Sequence, residues 1–304
     1  MSARRGRAAR PVLAALAAWA GALLLLAAPA RAQLTFPSAG PVSAGNLIVR
    51  TQPTIVDGTG GFQSLYDRNV LLYGASPDLT FILQNNSIVS NSAAVTSGGR
   101  TQHLTATGFG DTLFQTRYTI FGVDGIGSTF RVAPVIGIDV PTGMDDANPL
   151  MPRGLQPGTG AWGTRDAVAA TWQTLTWNGA IEGGYQANAG SGGYQFGNSL
   201  YADAGFHYLL WPADLEGDVP AELYASLEAN YSSNAANRAG TFDVPGTGGQ
   251  LLLLDPGLIY TRQSYSFSLV AFLPAYEHVS PNGSRLNYGI ALYFRRSFFT
   301  PYHW

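Results

Sequence analysis

The chain has 304 residues, of which 12% are charged, with 17 basic residues against 19 acids, four histidines and no cysteine. A soluble domain carries about a quarter charged residues, so this composition is not that of an ordinary water-facing enzyme. The absent cysteines exclude disulfides, thiolate metal ligands and thiol nucleophiles, and the slight acidic balance excludes the basic surface that nucleic acid requires.

Residues 1–32 read as an export signal. Arg4, Arg5, Arg7 and Arg10 precede an apolar run from Pro11 to Pro29, and Ala30-Arg31-Ala32 supplies a small-residue cleavage site. An uncleaved membrane helix is the alternative, since the run approaches the ~20 apolar residues that span a bilayer. The leader holds five of the 17 basic residues and no acid, which leaves 12 arginines against 19 acids, a net charge of −7, and no lysine anywhere. Residues 33–44 are expected to form a short periplasmic segment, and residues 45–304 a single domain.

Beyond the leader no apolar stretch is long enough for a spanning helix, and a two-faced pattern takes over. About twelve segments are predicted as strands, near residues 46–55, 64–73, 78–89, 111–121, 128–140, 166–177, 179–188, 197–210, 221–232, 250–262, 264–274 and 286–299. Most are close to the 9 to 11 residues a tilted strand needs to cross a bilayer. In "FRVAPVIGIDVP" (130–141), Phe130, Val132, Pro134, Ile136, Ile138 and Val140 share one face, and Thr129, Arg131, Ala133, Gly137 and Asp139 the other. The segments at 179–188, 199–210 and 221–232 repeat this alternation. Expected tight turns fall at Gly74 to Pro77, Gly122 to Gly127, Asn178-Gly179, Trp211 to Pro220 and around Gln263. Expected long loops are Ser90 to Gly110, Pro141 to Arg165 and Ser233 to Gly249. Short and long connections thus largely alternate, as in an all-β, antiparallel, up-and-down transmembrane β-barrel of about twelve strands, with a range of ten to fourteen. The final segment, "LNYGIALYFRRSFF", resembles the carboxyl-terminal signal that outer-membrane barrels present to their assembly machinery, with "TPYHW" following it.

Five further stretches carry a family resemblance: "YGASPDLTFIL" (73–83), "GFGDTLFQTRYTIF" (108–121), "GIDVPTG" (137–143), and "LLDPGLIY" followed by "LVAFLPAY" near the end. On these the chain is similar to the outer-membrane family labelled "MetA-pathway of phenol degradation". The resemblance implies an outer-membrane barrel of a Gram-negative bacterium and small solutes, aromatic or hydrophobic among them. It implies no catalytic constellation.

In a barrel, parity places Asp111, Arg117, Arg131, Asp139, Glu182, Asp203, His207, Glu222, Glu228, Asp255 and Arg295 in the lumen, with Tyr201, Tyr224 and Tyr293 beside them. A charge facing hydrocarbon at mid-depth costs ~2 to 4 kcal/mol, which keeps such residues inside. They either line a route for solutes, favouring cations since acids outnumber arginines among them, or fill a narrow lumen as mutual ion pairs. Phe130, Trp172, Phe206, Tyr208 and Tyr231 are expected against lipid. "GTGAWG" (158–163) lacks the strand-turn-helix of a nucleotide site, and the four histidines lack metal-ligand spacing, so neither cofactor nor metal is expected. The expected partners are outer-membrane lipid, small solutes and the barrel assembly machinery. A channel or transporter is the leading reading. The alternatives are a membrane-embedded lipid-modifying enzyme, for which Ser199 and Ser226 share the parity of His207, or a non-conducting barrel with partner-binding loops.

Overall fold

The computed structural model describes residues 39–97, 99–213, 215, 221–279 and 284–298. The expected export signal, much of the Trp211 to Pro220 turn and the terminal "TPYHW" lie outside these residues. In chain order the strands are β1 (Leu47–Gly58), β2 (Gln63–Gly74), β3 (Leu79–Ser97), β4 (Arg100–Gly108), β5 (Thr112–Tyr118) and β6 (Phe121–Gly125). They continue with β7 (Ser128–Val140), β8 (Gly163–Thr174), β9 (Trp177–Asn188), β10 (Gly190–Ser191), β11 (Tyr194–Gln195) and β12 (Ser199–Trp211). The last are β13 (Glu222–Asn234), β14 (Arg238–Ala239), β15 (Phe242–Asp243), β16 (Gly249–Arg262), β17 (Tyr265–Val279) and β18 (Leu286–Phe298).

Twelve of these close an antiparallel barrel in the order β1, β2, β3, β5, β7, β8, β9, β12, β13, β16, β17 and β18, and β18 pairs back onto β1. Closure sets Arg50 opposite Arg295 and Ile55 opposite Ile290. The long connections 141–162, 189–198 and 235–248 leave from the same rim of the barrel, because each follows a strand running in that direction. Short turns such as Thr174 to Trp177 and Arg262 to Tyr265 occupy the opposite rim. Gln263 takes a left-handed φ of 50° in the second of these.

Burial is inverted relative to a water-soluble protein. Ile136, Ile181 and Leu200 are 61%, 60% and 55% exposed, while Arg117, Glu228 and Asp255 are 2%, 1% and 0% exposed. Apolar side chains therefore point outward and charged ones inward, as barrel strands in lipid require. Trp172 and Trp177 meet edge-on at 5.2 Å, and Trp177 stacks on Phe206 at 5.9 Å, on the outer face towards the short-turn rim. Such rings suit a membrane interface. No helix among the described residues is long and apolar enough to cross a membrane.

Three expectations are corrected. Ser90 to Gly110 is a strand hairpin, with β4 folded on the far half of β3. Its outer face is a ladder of hydroxyl pairs, Ser90 with Thr107, Ser92 with Thr105 and Thr96 with Thr101, each at 2.8 Å, which gives strand pairing without apolar alternation. The turn expected at Asn178-Gly179 falls earlier, because the Thr174 hydroxyl accepts the amides of Thr176 and Trp177 and bends the chain there. The turn in "GVDGIG" tightens to Ile126-Gly127, with β6 extending the barrel wall beside β7.

Ile181→Arg would place a guanidinium in the apolar belt and is expected to lower the folding free energy in lipid vesicles by about 2 to 4 kcal/mol. Thr101→Arg, in the exposed far hairpin, is expected to change it by less than about 0.5 kcal/mol. Equilibrium unfolding in denaturant compares the two.

Candidate functional site

The inner wall carries a charged network at mid-depth, built by four neighbouring strands and their surroundings. Glu182 on β9 lies directly across from Asp203 on β12, and Glu228 on β13 directly across from Asp255 on β16. Like charges placed opposite one another destabilise a sheet, so each pair needs compensation. His207 Nε2 sits 3.1 Å from Glu228 Oε1, and Asn230 donates to Asp255. Arg165 lies 4.4 Å over the Tyr201 ring and within reach of the charges of Glu182 and Asp203. Arg117 interacts with Glu182 from the β5 side. Across the lumen, Arg50 on β1 and Arg68 on β2 stand near Tyr293, whose hydroxyl accepts from Gln52 Nε2 at 2.9 Å, and the charge of Arg50 reaches Glu228.

Glu182, His207, Tyr201 and Tyr293 are buried although no second chain covers them, so at this depth side chains fill the lumen. An apolar cluster of Ile259, Val270, Phe272, Ala291 and Tyr293, with Tyr224 packed against it, occupies the neighbouring inner wall. Ser226 faces His207 across the β12–β13 pair, but its hydroxyl and His207 Nδ1 make no hydrogen bond. A nucleophile–base pair is therefore not assembled there. Among the described residues no group of three or more His, Asp or Glu is arranged to hold a metal.

Both rims are narrowed by the chain itself. At the short-turn rim, residues 39–46 lie against the inner wall. Ala39 packs fully buried between Ala133 and Ala169, its amide donates to Thr171 Oγ1 at 2.8 Å, and its carbonyl accepts from Thr119 Oγ1 at 3.3 Å. Further along, the Val42 amide donates to Thr80 Oγ1 and the Gly45 amide to the Gly74 carbonyl. This strap therefore runs from the β7–β8 wall to the β2–β3 wall.

At the opposite rim, the 141–162 loop crosses the mouth. Asp111 accepts the amides of Gly143 and Thr159 and the Thr159 hydroxyl, at 2.9, 2.7 and 2.6 Å. Met151 packs on Ala93 and Ala106, Asn91 holds the Leu155 carbonyl, and Gly154 comes up beside Tyr194 and Asn237 of the other long loops. Those two loops are zipped together by the β11–β14 pairing.

The sequence-predicted residues therefore separate into groups. Arg117, Glu182, Tyr201, Asp203, His207, Glu228, Asp255 and Tyr293 share the mid-depth network. Asp139 lies near Arg165 and Asp111 towards the long-loop rim. Tyr224 donates to Glu222 towards the short-turn rim, and Arg295 faces Arg50. Arg131 belongs to the β6–β7 hairpin, where it pairs with Asp124 at 2.7 Å. Three inward arginines were not anticipated, namely Arg50, Arg68 and Arg165. Arg50 shares the inward parity of Ile48 and Gln52 on β1, the one signal that could have found it. With them the inner wall carries six arginines against seven acids, and the excess of acids nearly disappears.

A closed twelve-stranded wall, apolar without and charged within, defines a transmembrane β-barrel. The chain belongs to the family described as "Putative MetA-pathway of phenol degradation", whose model matches residues 43–272. Among solved structures it is similar to the COG4313 outer membrane channel from Pseudomonas putida F1, at 13% identity and a TM-score of 0.62, over 88% of this chain and 100% of that one. Weaker likenesses are to LpxR from Salmonella typhimurium (10% identity, TM-score 0.42, over 84% of this chain and 100% of that one) and OprD from Pseudomonas aeruginosa (8% identity, TM-score 0.32, over 88% and 98%). No curated protein matches it in sequence.

Asp111→Ala removes the acceptor that holds both ends of the 141–162 loop. Cleavage of the folded barrel by trypsin after Arg153 is expected to quicken roughly tenfold, the effect of losing about 1.4 kcal/mol from hydrogen bonds to a charged group. An unchanged cleavage rate would mean that the loop is held by other contacts.

Proposed function

We propose that this protein is an outer-membrane channel of a Gram-negative bacterium, not an enzyme, that passes small solutes, aromatic and hydrophobic compounds among them. The observation that carries this reading is an inner wall of polar and charged side chains that meet at mid-depth, with a hydrogen-bonded segment of the chain across each rim. Residues 39–46 and the 141–162 loop are joined to the wall mainly by side chain–backbone and backbone hydrogen bonds, individually worth about 0.5 to 1.5 kcal/mol. Such segments can yield while the barrel ladder stays intact. The long loops then face the exterior and the short turns the periplasm, following the usual arrangement of bacterial barrels. The carboxyl-terminal strand is the element offered to the assembly machinery, and lipid covers the apolar belt. The solute class rests on the family and on the aromatic side chains Tyr201, Tyr224 and Tyr293 of the inner wall.

In planar bilayers the refolded mature chain is expected to conduct in small steps, and removal of residues 33–44 is expected to enlarge those steps several-fold. A folded protein that conducts in neither form would overturn the channel reading. Equal steps in both forms would remove the strap from the solute path.

A further inference from the structure

The charges of the inner wall are segregated. Glu182, Asp203, Glu228 and Asp255 occupy the consecutive barrel strands β9, β12, β13 and β16, while Arg295, Arg50 and Arg68 occupy β18, β1 and β2 on the far side of the lumen. Within the basic group, Arg295 is distinct. Its neighbours on the inner face are Tyr293 and Ser297 along its own strand, Ser266 and Ser268 on β17, and Arg50 and Gln52 on β1. None is an acid. Arg50 stands directly opposite on β1 with a charge of the same sign. A cation withdrawn from bulk water is ordinarily paired, and two guanidinium groups face to face across a strand pair repel.

We infer that the inner wall beside Arg295 is a binding subsite for the carboxylate of a small organic acid in the lumen. A guanidinium offers a planar fork matched to a carboxylate, and an anion there would relieve the Arg50–Arg295 repulsion. The hydroxyls of Ser266, Ser268 and Ser297 can donate to the same oxygens. The apolar cluster that includes Tyr293, Val270 and Phe272 begins one inward position away on β18 and two or more on β17, and so gives the carbon body of the acid an apolar surface. The basic side thus selects for an anionic head while the acidic side opposite repels it, which fixes the orientation of the bound solute. This subsite deepens the channel reading and rests on the lumen being the solute's path, although binding is measurable without conduction.

The experiment is calorimetric titration of the refolded mature protein in detergent with benzoate, benzyl alcohol and inorganic phosphate, folding being checked by heat-modifiable gel mobility. Benzoate is expected to bind at least roughly tenfold more tightly than benzyl alcohol, the difference made by one charge-assisted pair. Arg295→Gln should abolish that preference, Arg295→Lys should retain part of it, and Arg131→Gln in the β6–β7 hairpin should retain all of it. Benzoate no tighter than benzyl alcohol on the native chain, or equal benzoate affinity in Arg295→Gln, overturns the inference. Binding of phosphate in preference to benzoate overturns the carboxylate assignment. If Arg295→Gln does not fold, Arg295→Lys and the benzoate to benzyl alcohol ratio decide. A barrel that conducts but ignores benzoate loses this subsite alone, and one that binds benzoate but never conducts loses the channel reading alone.

Discussion

Hydrocarbon offers no hydrogen bonds to a polypeptide backbone, so every strand that enters it must pair on both sides and the sheet must close. Closure here depends on β18 meeting β1, a contact between residues some 230 to 250 positions apart, as in the pairing of Leu47 with Phe298. Once that seam is made, parity decides the rest. One side of each strand faces lipid and becomes apolar, and the other faces an enclosed space into which charges can be placed without that cost. The buried Glu228 and Asp255, and the exposed Ile136 and Ile181, are two results of this single constraint.

Enclosure solves one problem and sets another. A charge removed from lipid into a narrow lumen still needs a partner, and the mid-depth network supplies partners from other strands: Arg165 on β8 for Glu182 on the adjacent β9 and for Asp203 one strand further on, and Arg50 for Glu228 across the space. The wall is rigid by virtue of its ladders, whereas the strap at 39–46 and the loop at 141–162 are attached by a handful of bonds each. On the proposed channel reading, motion that opens the lumen belongs to these attachments and to the side chains between them. The inward charges that remain unbalanced, above all at Arg295, are where a solute can take the place of a protein partner.

The fold was legible because alternation survives in β7, β12 and β13, where large apolar residues stand against charged ones. Each of the twelve predicted segments corresponds to a barrel strand, within a few residues at most ends. The hairpin of β3 and β4 was not legible as strands beyond Ser90, since there the outer face is Ser and Thr while Val89, Ala93 and Ala106 face inward, and a hydrophobic period has nothing to read. β1 and β2 hid their arginines for a related reason. Asp67 has the outward parity, satisfied by the hydroxyls of Thr51 and Ser87, and the register slips beside it at Arg68. Arg165 fell into an expected loop because β8 begins at Gly163, earlier than its apolar residues announce. Sequence parity could say which residues point inward. It could not say which of them meet, because that depends on closure and on strands that are neighbours only in the ring.

The absence of cysteine makes the two-solvent claim directly measurable. Single cysteines at Phe206 and Leu227, and at Asp203 and Ser226 on the same two strands, can carry a small fluorophore in barrels refolded into vesicles of lipids brominated on their acyl chains. The account predicts strong quenching at positions 206 and 227 and little at 203 and 226. Equal quenching at all four positions, or quenching confined to 203 and 226, would contradict it.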